Sequence, residues 1–458
     1  MQNLTIWDLL LTPVYLLVLS AIAHRQRDKR YPAGHSLRPY FLPGLYLKFG
    51  GAIFIGLLYQ FYYKGGDTYK FFHHTLVINS ALSKDVGTWL KLITQQPVEN
   101  NPELYKYVSQ MFWYRDTASY MVASIGAVFG LLHGTSYLPI AVTFAYFSFT
   151  GTWALYRTFV SLYPALHKQM AVAFLFIPST FVWGSGVFKD TVCMFGLGWM
   201  IYTVFRLFIF KDFSVKNTCL LALSFYLVAL IKLYILMAFL PALVIWLMTT
   251  YSDKITYGRL KSVLKTSLIF LAAGTFYFLL QVFAAEMEQY SLDNLAQTAA
   301  TTRNWIFYVS EQQDGSGYDL GEFSPTLTGM LKKFPQAVAV TLFRPFPWEA
   351  KKMIIMLNAL EATAFTYFTF LAFRRRGIWP TFKLIGKDAT LLFCLIFSLI
   401  FAFAVGITTY NFGTLSRYKI PCLPFYGAFL VILIYEGKNR TGLRTTQGFL
   451  KDQGVDSL

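Results

Sequence analysis

Charge is what this 458-residue chain has least of. Only 14% of its residues are Asp, Glu, Lys or Arg, against 55% hydrophobic and 19% aromatic. An ordinary soluble domain carries about 25% charged residues, so a string of soluble domains is excluded. Cysteine is also scarce. The four present (Cys193, Cys219, Cys394, Cys422) fall in or beside apolar runs with no CxxC spacing. They read as small packing residues, and neither a disulfide framework nor a thiolate metal site is indicated. No internal repeat is evident, which weighs against transporters built from duplicated halves. The first apolar run has Asp8 ahead of it and no small-residue cleavage site, so it is expected to be a retained helix and not a signal peptide.

What is present is a succession of apolar runs from residue 6 to residue 435. The expected fold class is all-α, a polytopic transmembrane helical protein. Lys and Arg outnumber Asp and Glu by 40 to 23, a net charge of +17. The basic residues gather in short connections between apolar runs, at 25–48, 157–168, 206–216, 254–265, 374–387 and in the tail. Under the positive-inside rule these are cytoplasmic, so the excess charge is a topology signal and not a nucleic-acid surface. With the N-terminus outside and the C-terminus inside, the parity requires about eleven spans of roughly 15–23 residues. It also requires residues 117–133 to be a re-entrant or interfacial outer helix, tolerated where it packs on protein. The expected organisation is an N-terminal span and basic loop (1–47), a membrane core (48–435) and a cytoplasmic tail (436–458).

Two outer loops, near 64–116 and 285–352, are much longer than their neighbours, and long structured loops are usually functional. The first holds Val86 to Ile93, the pattern of a short amphipathic helix on the membrane surface. The second carries Trp305-Ile306-Phe307-Tyr308-Val309 and an Asp314-Gly315-Ser316-Gly317 turn, and closes on Leu342-Phe343-Arg344-Pro345-Phe346-Pro347-Trp348-Glu349.

Polar residues beside helix ends are the candidate site. Gly65-Gly66-Asp67-Thr68-Tyr69 follows an apolar run, and a carboxylate at that boundary marks either a site or a plain surface loop. His73 and His74 lie downstream, with His74 two turns from Asp67 if the segment is helical. No third and fourth ligand has metal spacing, so no metal site is expected. Trp183-Gly184-Ser185-Gly186-Val187-Phe188-Lys189-Asp190 is a tight outer turn in which Lys189 and Asp190 form either a local ion pair or a ligand site. Arg344, among prolines and aromatics, suits bidentate recognition of phosphate or carboxylate; the alternative is interfacial anchoring. Arg417 and Lys419, in Thr414-Leu415-Ser416-Arg417-Tyr418-Lys419-Ile420-Pro421, put two cations at the outer face against the positive-inside trend, which favours phosphate binding over headgroup contact. Lys232, in a turn between two spans, is free to snorkel. Glu361 has no such escape and requires a partner.

Gly66-Asp67-Thr68-Tyr69 resembles the Asp-Glu-Ala-Tyr-Tyr-like run in the first outer loop of the GT-C superfamily, with Thr68 where the second acid stands. The span ending Leu155-Tyr156-Arg157-Thr158-Phe159, Ile177-Pro178-Ser179 ahead of Lys189-Asp190, and Arg417-Tyr418 before Pro421 and Pro424 are similar to later segments of that superfamily. The resemblance covers most of residues 48–435, without the soluble C-terminal domain many members carry. The 343–349 and 411–414 segments resemble membrane proteins of bacterial surface-polysaccharide clusters. The resemblance implies an enzyme of the bacterial inner membrane that moves a sugar from a polyprenyl-phosphate carrier to a glycan or lipid-linked acceptor, without a cofactor. It implies Asp67 as the catalytic carboxylate, with Lys189, Asp190, Arg344, Arg417, Lys419, Tyr69 and His74 around the substrate. An oligosaccharide polymerase or ligase, and a lipid-linked glycan transporter, are the rival readings.

Overall fold

The computed structural model describes residues 4–252 and 327–435, with 317–321 and single positions at 267, 274, 301, 308 and 324. Within these residues the fold is helical, without a strand; Gly317 and Asn411 make one isolated bridge. Among the described residues, seven helices are long and apolar enough to cross a membrane, or eight if a bent pair, Phe412–Tyr418 with Leu423–Tyr435, counts as one span. The protein is thus a multi-pass helical membrane protein. Two apolar helices, Thr117–His133 and Phe334–Phe343, are shorter. The basic loop at 254–265, the span expected between it and residue 285 (Ser267 and Gly274 apart), the Trp305 to Val309 run (Tyr308 apart), the Asp314 turn (Gly317 apart) and the tail from 436 lie outside the described residues.

The chain divides into two compact units. The first comprises Met1–His167 and Thr180–Lys232, the second Lys168–Ser179 and Leu233–Gly442, as far as these are described. In the first unit, α1 (Ile6–Arg30) and α2 (Arg38–Leu57) precede a segment of shorter helices built from α3 (Asp67–Ser80), α4 (Val86–Ile93), α5 (Tyr105–Val108) and α6 (Thr117–His133). There follow α7 (Tyr137–Leu162), α8 (His167–Leu175), which from Lys168 belongs to the second unit, α9 (Pro178–Trp183), which returns to the first at Thr180, α10 (Lys189–Val204) and α11 (Val215–Ser252), whose residues from Leu233 belong to the second unit. Helix α2 already begins at Arg38, ahead of the boundary expected at 48.

Helices α2, α7 and α10 carry apolar residues on nearly every face and are buried accordingly. Small residues let their backbones meet. A Cβ on Gly198 of α10 would stand 2.0 Å from the carbonyl oxygen of Gly151 in α7, so only hydrogen fits there. Helix α1 is mostly exposed, with Leu9, Leu10, Val14 and Leu17 on its outside. Its Asp8 is nevertheless fully buried. The carboxylate accepts from Thr5 N (2.8 Å) at its own helix start and from Leu138 N (2.8 Å) at the start of α7. An acid ahead of an apolar run is therefore a staple between two helix N-termini, each rich in unsatisfied donors.

Lys48 is a correction to the loop assignment. It lies inside α2, buried, and its ammonium donates to Ser148 Oγ (3.2 Å) and to the carbonyls of Thr180 (3.2 Å) and Gly184 (2.8 Å). An ammonium in a helix bundle is tolerated because three oxygens replace its water.

This segment of shorter helices has its own small core. Val77 and Ile78 of α3, Ala81 just beyond its end, Leu92 of α4, Leu104, Tyr107 and Met111, and Tyr120, Ala123 and Ala127 of α6 cluster together. Helix α4 forms where the amphipathic pattern predicted, started by Asp85, whose side chain accepts from Thr88 N at 2.7 Å. Its Leu92 face packs on this protein core, while Val86 and Leu90 point outward. Helix α6 descends beside the bundle. Its Leu132 carbonyl accepts from Tyr15 of α1, and His133 pairs with Thr143 of α7 at 2.7 Å.

In the second unit, α12 (Leu327–Lys332) and α13 (Phe334–Phe343) lead to α14 (Met353–Arg376), α15 (Ile378–Ile385), α16 (Ala389–Thr409), α17 (Phe412–Tyr418) and α18 (Leu423–Tyr435). The last two are the bent pair, turning by 71°. Phe393 and Phe397 of α16 meet Phe425 of α18 edge to face, with Phe401 tilted against Phe397. Arg374, Arg375 and Arg376 end α14, where cations suit the helix dipole, and Arg376 also donates to Leu433 O.

Candidate functional site

Asp67 opens α3. The chain leaves α2 through a single π-helical turn, Leu58–Tyr62, then turns on Gly65 and Gly66 at φ 138° and 127°, values that glycine adopts without strain. Asp67 is partly exposed at the helix N-terminus.

The residues after Asp67 are directed inward. Thr68 Oγ1 and Tyr137 Oη share a hydrogen bond of 2.7 Å. Tyr69 is buried; its hydroxyl donates to Gly56 O (2.8 Å) and its ring lies 4.6 Å from that of Tyr137. Tyr69 thus ties α3 to α2 and is not exposed. His74, fully buried, accepts from Phe112 N at 2.9 Å through Nε2. Burial, reinforced by the neighbouring His73, pushes its pKa down to about 4, so the ring is neutral at physiological pH. It packs within 5.8 Å of Trp113, and Lys70 lies over the faces of Phe112 and Trp113. No group of three or more metal-ligating side chains occurs among the described residues.

The Lys189–Asp190 ion pair is replaced by two others. Lys189 Nζ donates to Asp116 Oδ2 at 2.9 Å. Asp116 also caps α6, accepting from Ala118 N (3.1 Å) and Ser119 N (3.3 Å). Burial opposes ionisation of Asp116, but Ser119 and Lys189 outweigh it and hold the carboxyl below its ordinary range. Asp190, fully buried, pairs with Lys232. Lys232 is the one residue with non-helical backbone inside α11 (φ −147°, ψ 77°). It therefore does divide two helical stretches, as the sequence suggested, but it is buried against a carboxylate and does not snorkel. Neighbours on a helix point about 100° apart, so Lys189 and Asp190 face different surroundings.

In the second unit, Arg344 forms a forked ion pair with Glu349 and lies 5.4 Å over the ring of Phe412. Glu349 also accepts from Phe346 N at 2.7 Å, closing the turn. Phe412 packs against Tyr318 (5.2 Å), which stacks on Tyr410 and donates to Gly406 O at 2.9 Å. Arg344 is thereby seated on α17, the helix that carries Arg417, and both arginines are partly exposed.

Lys419 is different. Its side chain is wholly buried and its Nζ has no hydrogen-bond partner among the described residues. The partner that Glu361 requires is the backbone of Ser179, whose N–H reaches Oε2 at 2.8 Å. Asn358 Oδ1 accepts from Ser179 Oγ beside it (3.1 Å).

Sequence reasoning did not single out Asp116, Glu349, Asn358 or Lys48. Asp116 carries a local signal, Asp-Thr directly before an apolar helix. Glu349 lies five residues beyond Arg344 on a proline-fixed turn. Nothing local marks Lys48. Comparison with protein-family models, characterised proteins and solved structures finds no match to this chain.

Proposed function

We propose that this protein is a glycosyltransferase of the bacterial inner membrane. Its donor would be a sugar on a polyprenyl phosphate and its acceptor a surface-glycan precursor at the outer face. The observation that supports this reading is the setting of Asp67. A carboxylate opens a helix directly beyond a membrane-length helix, on an outer segment with its own packed core. Rigid support of that kind suits a residue that must meet a substrate in a fixed direction.

In the proposed reaction an acceptor hydroxyl attacks the anomeric carbon of the sugar. The carbon–oxygen bond to phosphate breaks with inversion, its electron pair leaving on the phosphate oxygen, and the hydroxyl proton passes to Asp67 as general base. Arg344 and Arg417 carry the chemistry suited to the leaving phosphate, a delocalised cation that binds its oxygens in pairs. Lys189 can contribute only by parting from Asp116. The fold would then be GT-C-like, with about eleven spans once the whole chain is counted.

The test compares lipid-linked and surface glycans, by mass spectrometry, in cells lacking the gene and complemented with wild type or Asp67→Asn at matched expression. A glycan restored by wild type and absent with Asp67→Asn supports the proposal. Full restoration by Asp67→Asn removes Asp67 from the mechanism. A single added sugar distinguishes a transferase from a polymerase, which leaves a ladder of repeats.

One observation favours a second reading, transport of a lipid-linked glycan. Lys48, Asp190, Lys232, Glu361 and Lys419 are all buried within or between membrane-length helices, more ionisable groups than the sequence pointed to. Intramembrane charges of this kind often line a path. Flux of a fluorescent lipid-linked glycan in proteoliposomes, without any glycosyl transfer, would establish it.

A further inference from the structure

Residues 377–388 join two helices of membrane length, α14 and α16. With both helices crossing the bilayer, the connection begins and ends at the same face of it. Gly377, at φ 82°, lets the chain turn sharply out of α14, and α15 follows at once. The turn keeps α15 beside the end of the span. The ring of Phe382 in α15 lies 6.4 Å from that of Phe373, in the last turn of α14. Phe382 therefore stands at the depth where α14 leaves the bilayer.

Helix α15 has two different faces. Thr381, Leu384 and Ile385 are buried against the protein. Ile378, Trp379 and Phe382 are 62%, 85% and 56% exposed. On an α-helix these three positions share an arc of about 100°. Large apolar side chains gathered on one exposed face mark a surface that something apolar covers.

Cations rim that face. Arg374 and Arg375 end α14 just before it, Lys383 lies on α15 next to the apolar arc, and Lys387 follows; all four are exposed. Arg376 is turned to the protein, where it donates to Leu433 O at 3.1 Å. The one acid in the connection, Asp388, caps α16 and accepts from Leu391 N at 2.9 Å.

We infer that α15 lies in the headgroup layer of the membrane and, with the four exposed cations, binds anionic phospholipid. Ile378, Trp379 and Phe382 enter the boundary between headgroups and acyl chains, as aromatic and apolar side chains do on interfacial helices. The guanidinium and ammonium groups then stand at the level of the phosphates and donate to their oxygens. Charge and position select this occupant. A second copy meeting the face about a two-fold axis would set the four cations against their equals. The contact between Phe382 and Phe373 holds the face at the edge of the bilayer, beside a span. The inference does not depend on the reaction proposed above.

Quenching of Trp379 by brominated lipids tests it, with the full-length protein in nanodiscs. The chain has ten tryptophans, so the Trp379 signal is the difference between wild type and Trp379→Phe. Phosphatidylcholine brominated high on its acyl chains should quench that signal. Phosphatidylglycerol brominated at the same place should do so at about a fivefold lower mole fraction, the gain expected for even one basic residue at an anionic surface. Arg374→Gln/Arg375→Gln/Lys383→Gln/Lys387→Gln should keep the quenching by phosphatidylcholine and lose the preference. Lys383→Gln/Lys387→Gln, a milder change should the fourfold variant not fold, should lower the preference in part. Three results overturn the inference. A Trp379 signal that neither lipid quenches means that protein covers the face. Equal quenching by the two lipids in wild type means that no anionic headgroup is held. A preference that survives intact in the folded variants means that these cations do not hold it.

Discussion

Separating Asp190 from Lys232 should be among the most damaging single changes in this protein, and removing both should be far milder. Asp190 is fully buried and Lys232 nearly so. At an effective dielectric constant of about 20, opposite charges about 4 Å apart attract by about 4 kcal/mol. Removing one partner strands the other without water, and such truncations cost about 3–5 kcal/mol. Asp190→Asn and Lys232→Met should therefore each destabilise by about that much. Asp190→Leu/Lys232→Met replaces the pair by apolar groups of similar volume and should range from neutral to about 1–4 kcal/mol more stable than wild type. The assay is equilibrium unfolding in mixed micelles with increasing denaturing detergent, completed as a double-mutant cycle. A cost under about 1 kcal/mol for both single variants would refute the reasoning, as would a double variant that loses the sum of the two.

The neighbouring pair should behave otherwise. Lys189→Ala breaks an ion pair with Asp116 that is partly in solvent and should cost about 0–1 kcal/mol in the same assay. Asp116→Ala also removes the cap of α6 and should cost about 1 kcal/mol more. His74 has a depressed pKa in the folded state, so the unfolded chain binds more protons between its ordinary 6.5 and about 4. Its contribution is complete above about 6.5 and is lost as pH falls towards 4. Fluorescence of Trp89 and Trp113 against pH should show the segment around α3 and α4 weakening across that window, and His74→Gln should flatten the response. Gly198→Ala places a methyl group against the α7 backbone and should cost about 1–3 kcal/mol or more, seen as a lowered unfolding midpoint. Arg344→Lys loses the fork on Glu349 and the contact with Phe412. Under the proposed reaction it should raise the KM for the lipid-linked donor about tenfold, a loss of about 1.4 kcal/mol; unchanged kinetics would detach Arg344 from the donor.

The sequence by itself determined the class of protein and much of its segmentation. Hydropathy follows from composition along the chain, and an apolar run of membrane length needs no tertiary contact to be legible. The helix at 86–93, the short apolar helix at 117–133 and the division at Lys232 were legible for the same reason, being properties of neighbouring residues. Partnership was not. Lys189 and Asp190 are adjacent in the chain, but consecutive helical side chains diverge, and each found its counter-ion on another element, Asp116 and Lys232. Lys48 reads as the end of a basic loop, yet it lies in a span because Ser148, Thr180 and Gly184 supply its oxygens from more than a hundred positions away or close to it. Glu361 advertised a need for a partner that only the packing of Ser179 against α14 identified. Burying a charge is decided by what surrounds it in space, and that environment is assembled only when distant segments pack together.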